Sequence, residues 1–178
     1  MNWNIDQSWT LFLDRDGVIN KRLMGDYVKS VGEFELLDGV AEALGAAAQV
    51  FGRIVVVTNQ QGIGKGIMTE RNLSDIHAYC SELITRAGGR IDRYYFAPEL
   101  AGTGVGLRKP ETGMAMQAKQ DFPEIAFERS VMVGDSDSDI QFGKNLGMKT
   151  VFVSHNKEKH ESADLTVSSL YEGIKQLV

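Results

Sequence analysis

The class of fold is indicated most clearly by one stretch, Trp9-Thr10-Leu11-Phe12-Leu13-Asp14-Arg15-Asp16-Gly17. A short apolar run, typical of a β-strand, ends there in a pair of aspartates separated by one arginine. In open α/β sheets, ligands bind beyond the carboxyl ends of the strands. The stretch therefore predicts a first strand whose end carries functional side chains.

Further apolar runs predict strands at 53–57, 94–96, 131–133 and 150–153, which makes five strands in all. The runs at 53–57, 131–133 and 150–153 lack polar alternation, as expected for strands that are covered on both faces of a parallel sheet.

Amphipathic stretches between these runs predict helices. Asp38 is the expected N-cap of the first helix, and Thr69 is that of a second helix ending at Gly88-Gly89. Other helices are expected after Thr112, over about 136–146 and over about 168–177. Strands alternating with helices predict an α/β fold, a Rossmann-like three-layer sandwich with a mostly parallel sheet.

Length and composition narrow the class of protein. The chain has 178 residues, of which 43% are hydrophobic and 24% charged, which predicts one globular domain over 1–178. A net charge of −5 argues against a nucleic-acid partner, which would need a basic surface. The sequence shows no leader, no apolar run that could span a membrane and one cysteine, Cys80. We therefore expect a soluble, cytoplasmic monomer with no membrane partner.

Polar motifs follow the predicted strands and should meet at one edge of the sheet. They are Asp14-Arg15-Asp16-Gly17, Thr58-Asn59-Gln60-Gln61-Gly62, Arg108-Lys109-Pro110 and Gly134-Asp135-Ser136-Asp137-Ser138-Asp139.

The residue types in these motifs point to phosphoryl transfer. One aspartate of the Asp14/Asp16 pair can be a nucleophile while the other serves as acid and then base. Together with Asp135 they concentrate negative charge that calls for a hard cation, and oxygen ligands favour Mg²⁺. Lys109 can offset the remaining charge, and Thr58 with nearby backbone amides can hold phosphoryl oxygens. The set predicts phosphoryl transfer through an aspartyl phosphate.

These motifs, in this order over about residues 9–155, resemble those of the haloacid dehalogenase superfamily of phosphatases. The stretches Phe12–Asn20, Thr58–Ile63, Gly66–Glu70 and Arg108–Met114 resemble, more narrowly, the D-glycero-D-manno-heptose 1,7-bisphosphate 7-phosphatases and the histidinol-phosphate phosphatases. The resemblance implies a haloacid dehalogenase fold, carbohydrate metabolism and a small phosphorylated substrate. The heptose bisphosphate is the first choice and histidinol phosphate the alternative.

The resemblance also implies a role for each matching residue. Asp14 corresponds to the nucleophile and Asp16 to the acid/base, and Mg²⁺ would be held by Asp14, by Asp16 through its backbone carbonyl, and by Asp135. Thr58 and Lys109 correspond to the residues that stabilise the phosphoryl group, while Asp139 orients the lysine. The expected substrate-binding residues are Asn20, Asn59, Gln60, Gln61 and Arg108.

Two segments need separate comment: one differs from the corresponding segment of many relatives, and the other is a place where a cap domain over the site could be inserted. Many relatives carry a zinc loop of cysteines and histidines before Arg108, whereas residues 97–107 hold neither type, so no zinc is expected there. The segment 20–37 is expected to form loops or a small hairpin, without a separate cap domain. A small helical cap over 69–89 is the alternative, although that stretch is the crossover helix that the sheet requires.

Competing interpretations are weaker. The segment Asp135–Asp139 imitates a calcium loop but has Ile140 where glycine is required, and Gly64-Lys65-Gly66 lacks the remaining P-loop residues. A binding module that lost catalysis should lack the nucleophile, the acid or the lysine, and all are present. A nucleic-acid 3′-phosphatase should carry a basic groove, whereas this chain is acidic. His77 is expected to be structural.

Overall fold

The computed structural model describes residues 3–104, 106–156 and 158–178. Its strands are Thr10–Leu13 (β1), Arg53–Asn59 (β2), Arg93–Ala97 (β3), Ser130–Gly134 (β4), Lys149–Val153 (β5) and Leu165–Val167 (β6). All pair in parallel, in the order β3-β2-β1-β4-β5-β6. The predicted α/β sandwich and its parallel sheet are confirmed. The predicted number of strands is wrong, because β6 is an additional short edge strand.

The helices of the described residues lie between these strands, except for the last helix, which follows β6. They are Val40–Val50 (α1), Gln61–Gly64 (α2), Glu70–Arg86 (α3), Gly113–Asp121 (α4), Asp137–Asn145 (α5) and Leu170–Leu177 (α6). The Thr69 cap is confirmed, since its hydroxyl accepts from the Asn72 amide and the Asn72 side chain caps in return. The Asp38 cap is wrong: Gly39 occupies that position in a left-handed conformation, with φ of 75°.

Alternating side chains of the central strand β1 enter two separate apolar layers. Leu11 and Leu13 pack on the side covered by α1, α3 and α6, while Phe12 packs on the side covered by α4 and α5. All three side chains are fully buried. Burial on both faces is what a central strand requires. The loop after Leu13 therefore lies at the middle of the sheet edge that is formed by the carboxyl ends of the strands.

The segment 20–37 lies beside this edge. Among its residues the structure has one 3₁₀ turn, Val31–Glu33, and an isolated bridge between Asn20 and Leu36. Helix α3 buries Leu73 and Ile76 in the core, as a crossover helix does. The prediction of a sheet without a separate cap is confirmed for the described residues. Within the same ranges, no helix has the length and hydropathy needed to cross a membrane.

His77 of α3 is a buried histidine that folding keeps neutral. Burial, together with the positive charge of Arg15, lowers its pKa from 6.5 to about 3, against a smaller opposing effect of the Asp16 carboxylate. Between those pH values the unfolded chain binds more protons than the folded chain, so the free energy of unfolding decreases as the pH falls.

We expect the stability of the wild-type protein to decrease by up to about 1.4 kcal/mol per pH unit below pH 6.5 from this residue alone. In His77→Gln, which keeps an acceptor for Arg15, that part of the slope should vanish. Urea unfolding of both proteins at several values between pH 6.5 and 5 measures it. Parallel stability curves would contradict the prediction.

Candidate active site

Asp14 stands immediately after β1, at the point where the strand order of the sheet reverses. Neighbours β2 and β4 flank β1, and the Asp14 amide donates to the Val133 carbonyl at 2.9 Å. The crevice at such a reversal is where α/β sheets bind ligands. The Asp14 side chain is 8% exposed at the bottom of this crevice.

Lys109 approaches Asp14 from the loop before α4. Its Nζ lies 2.7 Å from Asp14 Oδ1 and 2.7 Å from Asp139 Oδ1, and it donates to the Val57 carbonyl at 2.7 Å. Burial works against the charged lysine, but the two carboxylates outweigh it and raise the Lys109 pKa. The ammonium is therefore held charged between two aspartates.

Three carboxylates form an acidic cluster beside this lysine. Oxygens of Asp14, Asp135 and Asp139 lie within 4.8 Å of one another and could hold a metal ion. Gly17 makes room for Asp135: its φ is +93°, and a Cβ there would lie 2.0 Å from Asp135 Oδ2. Burial raises the Asp14 pKa, and burial, opposed by Arg22, raises the Asp135 pKa to about 6. Such a cluster favours a cation.

Arg22 already supplies a cation to these oxygens. Its Nη2 donates to Asp135 Oδ1 at 2.8 Å and to the Asp16 carbonyl at 3.1 Å, and it lies 3.9 Å from Asp14 Oδ2. These are atoms of the three residues expected to bind the metal. The observed contacts show that the donor set holds positive charge, which fits a divalent cation.

The Asp16 side chain turns away from this cluster. Arg15 Nη2 donates to both of its oxygens at 2.9 Å, Asn20 Nδ2 donates to Oδ1 at 2.9 Å, and Gln60 Nε2 donates to Oδ2 at 2.9 Å. Burial would raise the Asp16 pKa, but the Arg15 charge and these hydrogen bonds outweigh it and lower the value. The carboxylate is 23% exposed and lines the cleft.

An open cleft of about 660 Å³ lies above Asp14. Three of the expected substrate-binding residues line it, Asn59, Gln61 and Arg108, and so do Thr58 and Lys109. Asn20 and Gln60 are instead buried, and both contact the Asp16 carboxylate. The roles of all these residues in substrate binding remain predictions.

The loop before Arg108 closes on itself. Glu99 Oε1 accepts from the backbone amides of Leu107 at 3.0 Å and Arg108 at 2.9 Å, and the Gly113 amide donates to Gly106. Val105 lies outside the described residues. The Arg108 backbone is thus held by a carboxylate of its own loop, and Arg108 Nη1 is buried with no hydrogen-bond partner among the described residues.

Sequence reasoning missed three contacts of the site. Arg22 at the acidic cluster, Arg15 behind Asp16, and His155, whose Nε2 lies 3.6 Å from Asp135, were not predicted. For Arg15 a signal existed, because a charged residue directly after a buried strand needs a partner. Arg22 and His155 reach the site through loop conformations that no residue pattern specifies.

Comparison with known proteins defines the class. A family model described as "HAD-hyrolase-like" matches residues 106–172, which contain Lys109, Asp135 and Asp139. Curated relatives more than 30% identical extend the match over most of the chain. The chain belongs to the haloacid dehalogenase (HAD) family of phosphatases.

Particular members of that family are similar over most of their length. The D-glycero-alpha-D-manno-heptose-1,7-bisphosphate 7-phosphatase of Mycobacterium bovis is 39% identical over 138 residues, covering 78% of this chain and 73% of that protein. The D-glycero-D-manno-heptose-1,7-bisphosphate 7-phosphatase of Chlorobaculum tepidum is 36% identical over 167 residues, covering 86% and 83%.

A solved structure agrees with these relatives. The D,D-heptose 1,7-bisphosphate phosphatase from B. bronchiseptica, complexed with magnesium and phosphate, has a TM-score of 0.85 and 25% identity, covering 94% of this chain and 97% of that one.

Proposed function

We propose that this phosphatase removes the 7-phosphate of D-glycero-D-manno-heptose 1,7-bisphosphate through an aspartyl-phosphate intermediate. The observation that carries the proposal is the buried Asp14–Lys109 pair at the base of a cleft whose wall bears Arg22, Lys65 and Arg108. The relatives named above support the substrate.

In the first half-reaction, an oxygen of Asp14 attacks phosphorus as the bond from phosphorus to the sugar oxygen breaks. Asp16 delivers a proton to the departing sugar oxygen, so that a neutral alcohol leaves. Because the Arg15 charge and hydrogen bonds lower the Asp16 pKa, the form that begins this step is the minor one in which Asp16 is protonated. Lys109, already 2.7 Å from Asp14, and the Thr58 hydroxyl stabilise the charge on the phosphoryl oxygens.

In the second half-reaction, Asp16 takes a proton from a water molecule that attacks phosphorus. The bond between phosphorus and the Asp14 oxygen breaks, inorganic phosphate leaves, and both aspartates return to their starting states. Asp16 therefore acts as acid and then as base at the same position.

The residues that would hold Mg²⁺ are Asp14 and Asp135 through their carboxylates and Asp16 through its backbone carbonyl. Oxygen ligands suit this ion, and the contacts of Arg22 show that the same groups attract positive charge. When bound, the ion neutralises charge on the nucleophile and on the phosphoryl group. Asp139 instead pairs with Lys109 and accepts from Ser136.

Removing the Arg22 side chain is expected to tighten divalent-cation binding, because the guanidinium and the ion compete for the same oxygens. A half-exposed ion pair is worth up to about 1 kcal/mol, which corresponds to about a two- to fivefold lower Kd in Arg22→Ala. Calorimetric titration with Mg²⁺ measures it, with Arg71→Ala on exposed α3 surface as the control. Unchanged or weaker binding in Arg22→Ala would show that the two cations do not compete.

The charges around the cleft favour a bisphosphate. Arg108 presents a buried Nη1 without a hydrogen-bond partner among the described residues, and Lys65 lines the same wall. A second phosphate could accept charge-assisted hydrogen bonds from them. Lys21 pairs instead with Glu35 and does not line the cleft.

Acidic groups for a cationic substrate are scarcer. A histidinol phosphate amine would need a carboxylate at the rim, and the acidic residues to consider there are Asp26 and Glu99. Asp26 lines the cleft but pairs with Lys29 at 2.6 Å, whereas Glu99 is not among the residues that line the cleft, and its Oε1 accepts from its own loop. This difference favours the heptose bisphosphate.

Phosphate release from both anomers of the heptose bisphosphate, from histidinol phosphate and from a 3′-phosphorylated oligonucleotide tests the proposal. We expect kcat/KM to be highest for a heptose bisphosphate, and chelation of Mg²⁺ to abolish turnover whereas chelation of zinc does not. A higher kcat/KM for histidinol phosphate would contradict the choice of substrate.

Arg108→Ala should raise KM for the bisphosphate about tenfold, the effect of losing one charge-assisted hydrogen bond. KM for the 7-monophosphate of the same sugar should change less. Arg86→Ala, at the exposed end of α3, is the matched control. Equal KM values for wild type and Arg108→Ala would remove Arg108 from the binding site.

A further inference from the structure

Arg15 lies between the proposed nucleophile and the proposed acid/base, yet no part of it reaches the cleft. Its side chain is fully buried, the largest such side chain in the described part of the chain. A buried guanidinium costs several kcal/mol unless partners compensate it. Its partners therefore indicate what this charge does.

One end of the guanidinium holds Asp16. Nη2 lies 2.9 Å from each carboxylate oxygen. With Asn20 on Oδ1 and Gln60 on Oδ2, the carboxylate is gripped by donors on its inner side, while a 23% exposed edge faces the cleft. The position of that edge is set by side chains that do not themselves give or take a proton in the reaction.

The other end of the guanidinium contacts His77. Nη1 lies 3.4 Å from His77 Nε2, and the His77 ring stacks on Tyr94 with centroids 4.1 Å apart and an interplanar angle of 13°. Tyr94 in turn hydrogen-bonds to Ser81 of the same helix, α3. Arg15 is thus held at both ends, by Asp16 on one side and on the other by His77 of α3, which stacks on Tyr94 of β3.

We infer that Arg15, braced by His77, is a positioning residue for Asp16, fixing the carboxylate so that its exposed edge meets the leaving oxygen and the attacking water. The inference rests on the proposed function, in which Asp16 is the acid/base. An acid/base acts only within hydrogen-bond reach of its proton acceptor, and a displacement of about 1 Å can cost about 10²-fold in rate. A role limited to stabilising the loop would instead lower stability without acting through Asp16.

A double-mutant cycle separates these roles. The variants are Arg15→Lys, Asp16→Asn and the double variant, assayed on an alkyl phosphate substrate. Arg15→Lys keeps the charge, but one ammonium nitrogen replaces the two guanidinium nitrogens, Nη2 and Nη1, that contact Asp16 and His77. We expect kcat to fall about 10- to 100-fold in Arg15→Lys, with KM within about twofold of wild type. In the Asp16→Asn background the same change should alter kcat less than about twofold.

The leaving group provides a second readout. p-Nitrophenolate leaves without a proton, so the first equivalent of nitrophenol from p-nitrophenyl phosphate should appear in Arg15→Lys at nearly the wild-type rate. Arg90→Lys is the matched control, since Arg90 is a partly buried arginine that donates to the Ala48 and Phe51 carbonyls away from the site. Its kcat should not change.

Equal losses of kcat in the wild-type and Asp16→Asn backgrounds, or equal losses with both leaving groups, would overturn the inference. If Arg15→Lys does not fold, as judged by circular dichroism, the same cycle with His77→Ala decides in the same way. A wild-type kcat in Asp16→Asn alone would refute the acid/base of the proposed function, a result separate from any effect of Arg15.

Discussion

Asp14→Asn is expected to lower kcat about 10⁴-fold or more, because the amide keeps the shape of the side chain but is a very poor nucleophile. The fold should persist, since Lys109 retains its 2.7 Å contact with Asp139. Rapid-quench assays for phosphate release measure the loss. Asp137→Asn is the matched control. It makes the same chemical change at the protein surface, since the Asp137 side chain is 98% exposed.

Mass spectrometry of acid-quenched enzyme adds a direct readout of the intermediate. Wild-type enzyme mixed with substrate should gain the mass of one phosphoryl group, and Asp14→Asn should not. Turnover within tenfold of wild type in Asp14→Asn would contradict covalent catalysis at this residue.

Lys109→Met is expected to damage both stability and catalysis. The change leaves Asp14 and Asp139 buried without their shared cation, and breaking a buried ion pair in this way costs about 3–5 kcal/mol. Loss of a donor to the phosphoryl oxygens should lower kcat about 10²- to 10³-fold. Guanidinium unfolding in the presence of a chelator gives the first value, and steady-state kinetics gives the second.

A second substitution tests the cause of the lost stability. Asp139→Asn added to Lys109→Met removes one of the stranded charges, so the double variant should be more stable than Lys109→Met alone. Lys175→Met, at an exposed position of α6, should change stability by less than about 0.5 kcal/mol. A Lys109→Met protein as stable as wild type would show that the lysine does not balance the two aspartates.

The fold was predictable from the sequence where burial leaves a clear pattern. The strands β2, β4 and β5 are apolar runs covered on both faces, and such runs admit few other interpretations. β6 was missed because it has three residues at the edge of the sheet, of which only Val167 is buried. A short edge strand carries almost no periodic signal.

The helix caps show the same limit. Thr69 was correctly predicted because its partner Asn72 stands three residues on, within the helix itself. The prediction of Asp38 as N-cap was wrong because Gly39 takes that position in a left-handed backbone conformation. Glycine permits this conformation, but the residue pattern around Asp38 does not reveal it.

For the site, the sequence identifies which residues meet but not how they are paired. Asp14, Thr58 and Asp135 come together because parallel strands end at one edge. The placement of Arg22 against Asp135 depends on the path of the segment 20–37, which folds back through the bridge between Asn20 and Leu36. Long-range loop contacts of this kind leave no local pattern.

Asp14 follows β1 and Asp135 follows β4, so the oxygens of the acidic cluster are brought together only when these two strands have paired. A cation bound by them therefore stabilises the folded chain and has no equivalent site in the unfolded one. At a concentration of about 100 times Kd, such an ion adds about 2.7 kcal/mol to the free energy of unfolding. The melting temperature of this protein should consequently report metal affinity in the absence of substrate. Measured with different ions, or with variants of the acidic cluster, it would rank their affinities without an activity assay.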